Sequence, residues 1–239
     1  MDKQYNKNSP ETIANLFDSI ASSYDTTNTI LSFGLHKIWN KALIKALGTP
    51  ETLLDLCAGT GEISFLMMQQ NKALKKTLLL DFSKEMLLMA KQKSLKQENK
   101  KVDIKFIQGD ATKIPLDSNH VEAISIAYGL RNIKEPHLCI KEAFRTLKPG
   151  SPFGILELTE PKFKILKRLH TLYLQYFLPL AGKLLTTNKE AYKYLSNSIP
   201  QFLSPQKVKE MLQDAGFENI RILRQTGGIA TLIVANKPQ

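Results

Sequence analysis

Leu54-Asp55-Leu56-Cys57-Ala58-Gly59-Thr60-Gly61-Glu62 is the stretch from which the fold of this chain is read. It joins an apolar run of strand length, Thr52 to Cys57, to a helical pattern, Glu62 to Gln70. Gly59 and Gly61 allow a tight turn and close approach of the backbone to a ligand. The helix start beyond them offers unpaired N–H groups to a polar ligand. Such a turn alone is weak evidence, but two acids extend it. Asp81 closes the next apolar run, Thr77 to Asp81, and an acid there accepts hydrogen bonds from both hydroxyls of a ribose. Asp110, in Gly109-Asp110-Ala111, follows a third run, Val102 to Gln108. Each acid by itself reads equally well as a helix cap or a solvated loop residue. Groups facing a ligand from the ends of three successive strands together match a bound adenosine. The dinucleotide fingerprint G-x-G-x-x-G fails here, because Ser64 holds its last glycine position.

Outward from this loop, strands and helices alternate. Ser83 to Lys93 and about Glu135 to Leu147 read as helices; Val121 to Tyr128 and Phe153 to Leu158 read as strands. Apolar runs separated by helices imply a parallel sheet covered on both faces. Asn219 to Arg224 and Ile229 to Ala235, joined by Gly227-Gly228, must pair antiparallel across so short a turn. Before the sheet, Ser9-Pro10-Glu11 opens a helix with Ile13, Leu16, Phe17 and Ile20 at helical spacing, and a second carries Trp39, Leu43, Ala46 and Leu47 on one face. Lys162 to Ser198 breaks the alternation with a helical pattern rich in Leu and Tyr, after which Ser204-Pro205 opens a helix to Asp214. The expected fold class is α/β: a Rossmann-like sheet, mostly parallel with one antiparallel strand. It forms one domain over 1–239, with an N-terminal helical cover over 1–48 and a helical insert over 162–198.

Composition narrows the setting. Net charge is +11, from 33 Lys+Arg against 22 Asp+Glu, which favours anionic partners or else keeps the surface soluble. Cys57 and Cys139 form no C-x-x-C pair, and no Cys/His cluster has zinc spacing, so neither a metal site nor a disulfide framework is expected. Met1 to Pro10 lacks the apolar segment of a signal peptide, and Leu172 to Gly182 is too short to span a bilayer. The expected location is cytoplasmic.

The strand end Asp81-Phe82-Ser83, followed by Lys84-Glu85-Met86-Leu87, resembles the second motif of class I S-adenosylmethionine (SAM)-dependent methyltransferases. Further segments resemble one family within that class, the ubiquinone/menaquinone biosynthesis C-methyltransferases, over nearly the whole chain. They are Phe17-Asp18-Ser19-Ile20-Ala21 through Tyr24-Asp25 and Asn28; Leu31-Ser32-Phe33-Gly34-Leu35-His36 with Trp39; the Gly59-Thr60-Gly61 loop; Tyr128-Gly129-Leu130-Arg131-Asn132; Leu147-Lys148-Pro149-Gly150; Ala191-Tyr192-Lys193-Tyr194-Leu195 with Ser198-Ile199; and Thr226-Gly227-Gly228-Ile229. Among the departures, Cys57 stands where the general motif has its first glycine, and Ala127 where some members carry Ser near the cofactor.

The resemblance implies SAM as cofactor, held by Asp55, Gly59, Thr60, Gly61, Asp81, Asp110, Ala111 and Ala127, and no metal. It implies methylation of a ring carbon of a polyprenyl quinol, demethylmenaquinol to menaquinol, with a ubiquinol precursor as an alternative or additional substrate. A carbon nucleophile in line with the methyl group is needed, and a quinol serves best once a hydroxyl becomes phenolate. Arg131 and Asn132 are the candidate catalytic residues. Arg131 stays protonated and would stabilise phenolate or orient a water, unless it only braces its loop through a salt bridge. Tyr24, His36, Tyr192 and Tyr194 are candidates for the ring pocket. A nucleic-acid substrate is not expected: the N/D-P-P-Y/F element is absent and neither cysteine is placed as a nucleophile. The water-insoluble tail implies peripheral contact with the inner face of the cell membrane. Lys162, Lys164, Lys167 and Arg168, ahead of the apolar stretch Leu172 to Leu178, offer the surface for it. The alternative is that this helix packs its apolar face on the domain. A homodimer is also expected.

Overall fold

The computed structural model describes residues 9–97, 101–177 and 189–239. Three helices precede the sheet: α1 (Pro10–Asp18), α2 (Tyr24–Leu31) and α3 (Leu35–Leu47). Strands and helices then alternate as β1 (Thr52–Leu56), α4 (Glu62–Gln70), β2 (Lys76–Asp81), α5 (Lys84–Ser94), β3 (Asp103–Gln108), β4 (Ala123–Ala127), α6 (Pro136–Thr146) and β5 (Pro152–Leu158). Next come α7 (Lys164–Leu172), a π-helical turn at Tyr173–Phe177 and α8 (Lys189–Gln201). The chain returns through α9 (Pro205–Asp214) to β6 (Glu218–Gln225) and β7 (Ala230–Asn236).

The seven strands lie in the order β3-β2-β1-β4-β5-β7-β6. All neighbours are parallel up to β5, whereas β7 runs antiparallel to both β5 and β6. The sheet is therefore mostly parallel with one antiparallel strand, as the sequence implies. Strand order reverses between β1 and β4, and a crevice opens outside the carboxyl ends of strands at such a switch.

Burial explains why the strands read as near-continuous apolar runs. Leu54 and Leu56 point to one face, with Leu78, Leu80, Ile124, Ile126 and residues of α6 and α9. Leu53 and Leu79 point to the other, with Trp39, Leu43 and Leu47 of α3, Met67 of α4 and Ala90 of α5. A third cluster lies outside the sheet. It packs Ile13, Leu16, Ile20 and Leu31 of the N-terminal segment against Met86, Leu174, Tyr194 and Ile199. The serine caps act as their sequence positions suggest: Ser9, Ser83 and Ser204 accept from the backbone N–H of Thr12, Met86 and Lys207.

Most boundaries fall within a residue of the sequence reading, and the differences at β4 and at the β6–β7 connection have a clear physical cause. β4 ends at Ala127 rather than Tyr128, because Tyr128 takes a left-handed backbone (φ 58°) that no strand continues. At its other end, Val121 makes only an isolated bridge to Leu147. The β6–β7 connection begins at Thr226, also left-handed, whose Oγ1 accepts from Trp39 Nε1 at 2.9 Å.

The loops after β1 and β4 touch. A Cβ on Gly129 would collide with the Cβ of Cys57 and lie 3.0 Å from its Sγ. The Cβ of Cys57 is fixed to its backbone and cannot rotate away, so the backbone itself would have to shift. Gly129→Ala is expected to lower stability by about 1–3 kcal/mol through overpacking, seen as a fall in Tm. Cys57→Gly in the same chain should recover most of that loss. A double variant no more stable than Gly129→Ala alone would show that the two loops do not constrain each other.

Candidate active site

Two cavities open along the carboxyl edge of the sheet. The first, about 310 Å³, runs from the glycine loop to α2, α3 and the α7 region. The second, about 180 Å³, lies between α1 and the ends of β2 and β3. Tyr24, Cys57, Gly59, Ala127 and Tyr128 line both, so the two meet at the tips of β1 and β4.

The two loop glycines do different work. Gly59 (φ 54°) lines both cavities, and a Cβ there would meet nothing within 4 Å, so the backbone faces open space. Gly61 (φ 82°) lines neither. A Cβ there would lie 2.6 Å from the Phe65 ring and 2.9 Å from Leu79, so this glycine lets α4 sit close to the sheet. Thr60 lines the first cavity, and its Oγ1 donates to Asp25 Oδ1 at 2.5 Å. Asp25 also pairs with Lys93.

Asp55 borders the first cavity but is almost wholly buried. Its Oδ2 accepts from Ser64 N at 3.2 Å and Ser64 Oγ at 3.0 Å, and its Oδ1 from Ser125 Oγ at 2.7 Å. Burial pushes its pKa up to about 6 against those three donors. Asp81, Asp110 and Ala111 line the second cavity together. The carboxylate of Asp81 accepts from Gly59 N at 2.7 Å and Ser83 N at 2.8 Å, and burial raises its pKa to about 6 as well. Asp110 caps its own turn, accepting from Thr112 N at 2.8 Å. Ser83, next to Asp81, is bonded through Oγ to Asp18 of α1.

On the first cavity, Arg131 sits in a tight turn, Leu130–Asn132, and is only 4% exposed. Its Nη1 donates to Glu157 Oε1 at 2.5 Å and to the Tyr128 carbonyl. Its Nε is buried without a partner among the described residues. Burial is the largest influence and opposes its charge, but Glu157 together with Tyr24 and Tyr194 holds the guanidinium pKa above its ordinary value. Asn132 lines the second cavity; its Nδ2 donates to the Tyr128 carbonyl at 3.3 Å and its Oδ1 accepts from Tyr194 OH at 2.9 Å. Tyr194 borders neither cavity, and the side chain of Tyr192 lies outside the described residues. His36 is clamped: Nδ1 lies 2.7 Å from Ser32 Oγ and Nε2 lies 3.2 Å from Glu62 Oε1. Burial raises the pKa of Tyr24 and lifts the Cys57 thiol well above its usual range, so Cys57 is a neutral thiol.

Three site residues escape a reading by motif. Asn40 on α3 is 1% exposed; its Oδ1 accepts from Tyr128 OH at 2.9 Å while its Nδ2 is buried without a partner among the described residues. His170 on α7 lines the first cavity, and burial lowers its pKa, which keeps it neutral. Glu157 is 2% exposed near the end of β5. The available signal was an amide on an apolar helix face and an acid inside an apolar strand.

The mouth of the first cavity is apolar. Phe33 packs on Tyr173 and Phe177, with ring centroids 6.3 and 5.7 Å apart, yet it remains 70% exposed. Phe163, Ile165, Leu169 and Leu172 are exposed along α7 and its approach, whereas Leu174 is buried. The helix therefore does not pack its whole apolar side on the domain. Leu178 lies outside the described residues.

The profile of the ubiE/COQ5 methyltransferase family matches residues 3–237. A demethylmenaquinone methyltransferase of Protochlamydia amoebophila is 44% identical over 98% of this chain and 98% of its own. A protein of the same name from Staphylococcus aureus is 33% identical over 97% of this chain and 95% of its own. Among solved structures, Haemonchus contortus phosphoethanolamine N-methyltransferase 2, in complex with SAM, superposes with a TM-score of 0.61 at 16% identity, over 84% of this chain and 52% of that one. This last likeness is one of fold.

The raised pKa of Asp55 has a signed consequence. Between about pH 4 and 6 the folded protein keeps a proton that the unfolded chain has released, so stability falls as pH rises through that window. Asp55→Asn should remove about 2–3 kcal/mol of this pH dependence, leaving the similar part due to Asp81. Denaturant unfolding at pH 4 to 7 measures it. An unchanged slope would mean that Asp55 ionises as freely in the folded chain as in the unfolded one.

Proposed function

Because the chain belongs to the ubiE/COQ5 methyltransferase family, we infer that it methylates a ring carbon of demethylmenaquinol, using SAM and yielding menaquinol. The observation that carries this reading is the junction of two unlike cavities at the tips of β1 and β4. One is edged by acids suited to a nucleoside, and the other is long, apolar and open to the surface. The residues fit the cofactor. Gly59 presents bare backbone to open space, and Asp81 keeps lone pairs beyond the two that bond Gly59 and Ser83. Asp81 would hold the ribose hydroxyls, Asp110 and the Ala111 N–H the adenine, and the backbone of Gly59 and Thr60 the amino-acid end. Ala127 would lie between cofactor and ring. When bound, SAM supplies a methyl group on a positively charged sulfur.

The chain's own residues orient the quinol. Arg131 and Asn40 line the first cavity, and each holds a buried donor without a partner among the described residues, a type of group suited to quinol oxygens. A charged donor beside one hydroxyl favours its phenolate, which makes the ring carbon nucleophilic. Asn132, tied to Tyr128 and Tyr194, steadies the loop that presents Arg131. Tyr24 and His36 close the ring pocket, with Tyr192 and Tyr194 on the helix that covers it. As the new C–C bond forms, the ring carbon loses its proton; His36 and His170 line the same cavity and can take it.

Incubating the protein with SAM and detergent-dispersed demethylmenaquinol should give menaquinol, whereas no transfer under reducing conditions would sink the assignment. Asp81→Ala should weaken SAM by roughly 2–4 kcal/mol, the worth of hydrogen bonds to a charged acceptor, in calorimetric titration. An unchanged dissociation constant would remove Asp81 from the ribose site.

Among the described residues no helix is long and apolar enough to cross a membrane. The polyprenyl tail then has to leave through the apolar mouth, and the exposed residues around Phe33 and α7 suit insertion into a bilayer surface. Lys162, Lys164, Lys167 and Arg168 flank them, each worth about 1 kcal/mol near anionic lipid. Replacing these four by Gln should weaken cosedimentation with anionic liposomes at low salt. Equal binding of both proteins to neutral and anionic liposomes would rule out the electrostatic part.

A further inference from the structure

We propose that Glu157 is a positioning residue for methyl transfer, holding Arg131 so that its free N–H groups meet the quinol oxygen and setting how strongly that cation favours phenolate. The inference rests on the reading of the first cavity as the quinol site. The carboxylate of Glu157 bridges two elements. Oε1 accepts from Arg131 Nη1 at 2.5 Å and from Leu158 N at 2.9 Å, and Oε2 accepts from the backbone N of Arg131 at 3.2 Å. Glu157 is thus fixed by its own strand and grips Arg131 at both ends, backbone and side chain. With Nη1 also donating to the Tyr128 carbonyl, both hydrogens of that nitrogen face protein acceptors. Nε has no partner among the described residues, although it is buried, and Arg131 lines the cavity. The grip therefore leaves the Nε edge of the guanidinium without a protein acceptor among the described residues. A buried donor without an acceptor is costly, and a phenolate or hydroxyl oxygen relieves it.

The same contact sets the charge. Arg131 and Glu157 form a pair with almost no exposure, so the pair itself carries no net charge before the quinol ionises. The other titratable groups facing Arg131 are Tyr24 on α2 and Tyr194 on α8, with Glu62 acting on Tyr24 from α4. The tyrosines are neutral phenols, and Glu157 is the anion in direct contact with Arg131. Its negative charge tempers the cation, while its geometry aims it.

Glu157→Gln keeps the size and one acceptor oxygen but removes the charge. Glu157→Asp keeps the charge and withdraws the carboxylate. In Glu157→Gln, the uncompensated cation should move the acid limb of the kcat–pH profile to lower pH by at least about half a unit. In Glu157→Asp, the limb should stay in place while kcat falls roughly tenfold or more from misplacement. SAM affinity should stay within about twofold of wild type in both, because Glu157 lines neither cavity and acts through Arg131. A kcat–pH profile for Glu157→Gln that superposes on wild type would overturn the proposal. So would wild-type turnover in Glu157→Asp, or loss of SAM affinity in step with kcat in both variants, which is the mark of a plain brace. If the wild-type protein does not methylate demethylmenaquinol at all, the quinol reading fails first, and the variants are not what decides it.

Discussion

The carboxylate of Asp55 has almost no access to water, and four elements are tied to it. It lies on β1, accepts from the backbone and hydroxyl of Ser64 in the first turn of α4, and accepts from Ser125 on β4. Ser64 in turn receives Thr77 of β2 at 3.1 Å. A buried acid is tolerable only when its lone pairs are taken, and here three donors take them. One of the donors is an amide of a helix start, where backbone N–H groups otherwise lack partners and negative charge is favoured. The glycine loop is stretched between these fixed points, so its course past Gly59 is settled before any ligand arrives. Asp81 adds a second tie, from β2 back to Gly59 N.

Much of this was legible in the sequence, for reasons that lie in local chemistry. Ser83 before Lys84 and Ser204 before Pro205 announce helix starts through their caps. The apolar runs through Leu53, Leu79 and Ile124 announce strands buried on both faces. What the sequence could not carry was the direction of side chains within a motif. Gly59 and Gly61 look alike in the string, yet one faces open space and the other Phe65. Arg131 and Asn132 are adjacent, yet they line different cavities. Glu157 and Arg131 are 26 residues apart, and only the β4–β5 pairing brings them together.

The N-terminal helices and the segment after β5 divide the covering of the site. α1 walls the second cavity through Ile13, Ala14 and Phe17, and Asp18 and Asp25 fasten this cover to Ser83 and Thr60, just past the ends of β2 and β1. The α7 region covers the first cavity, with Leu166, Leu169 and Tyr173 on its wall. Polar ties thus fasten the N-terminal cover, whereas apolar packing and exposed rings form the other. A polar cofactor and a greasy tail ask for such a difference, since each end must match what it desolvates.

The position of β7 bears on how the protein is made. It is the last of the seven strands in sequence, yet it lies between β5 and β6 and pairs with both. A chain leaving the ribosome N-terminus first completes β1 to β5 while that inner slot stands open. The edge of β5, from Pro152 to Leu158, then waits through some seventy residues of synthesis with its backbone groups unpaired. The finished sheet hides this edge completely. During translation it stays open to mispairing until β7 emerges, although the finished fold gives no sign of that interval.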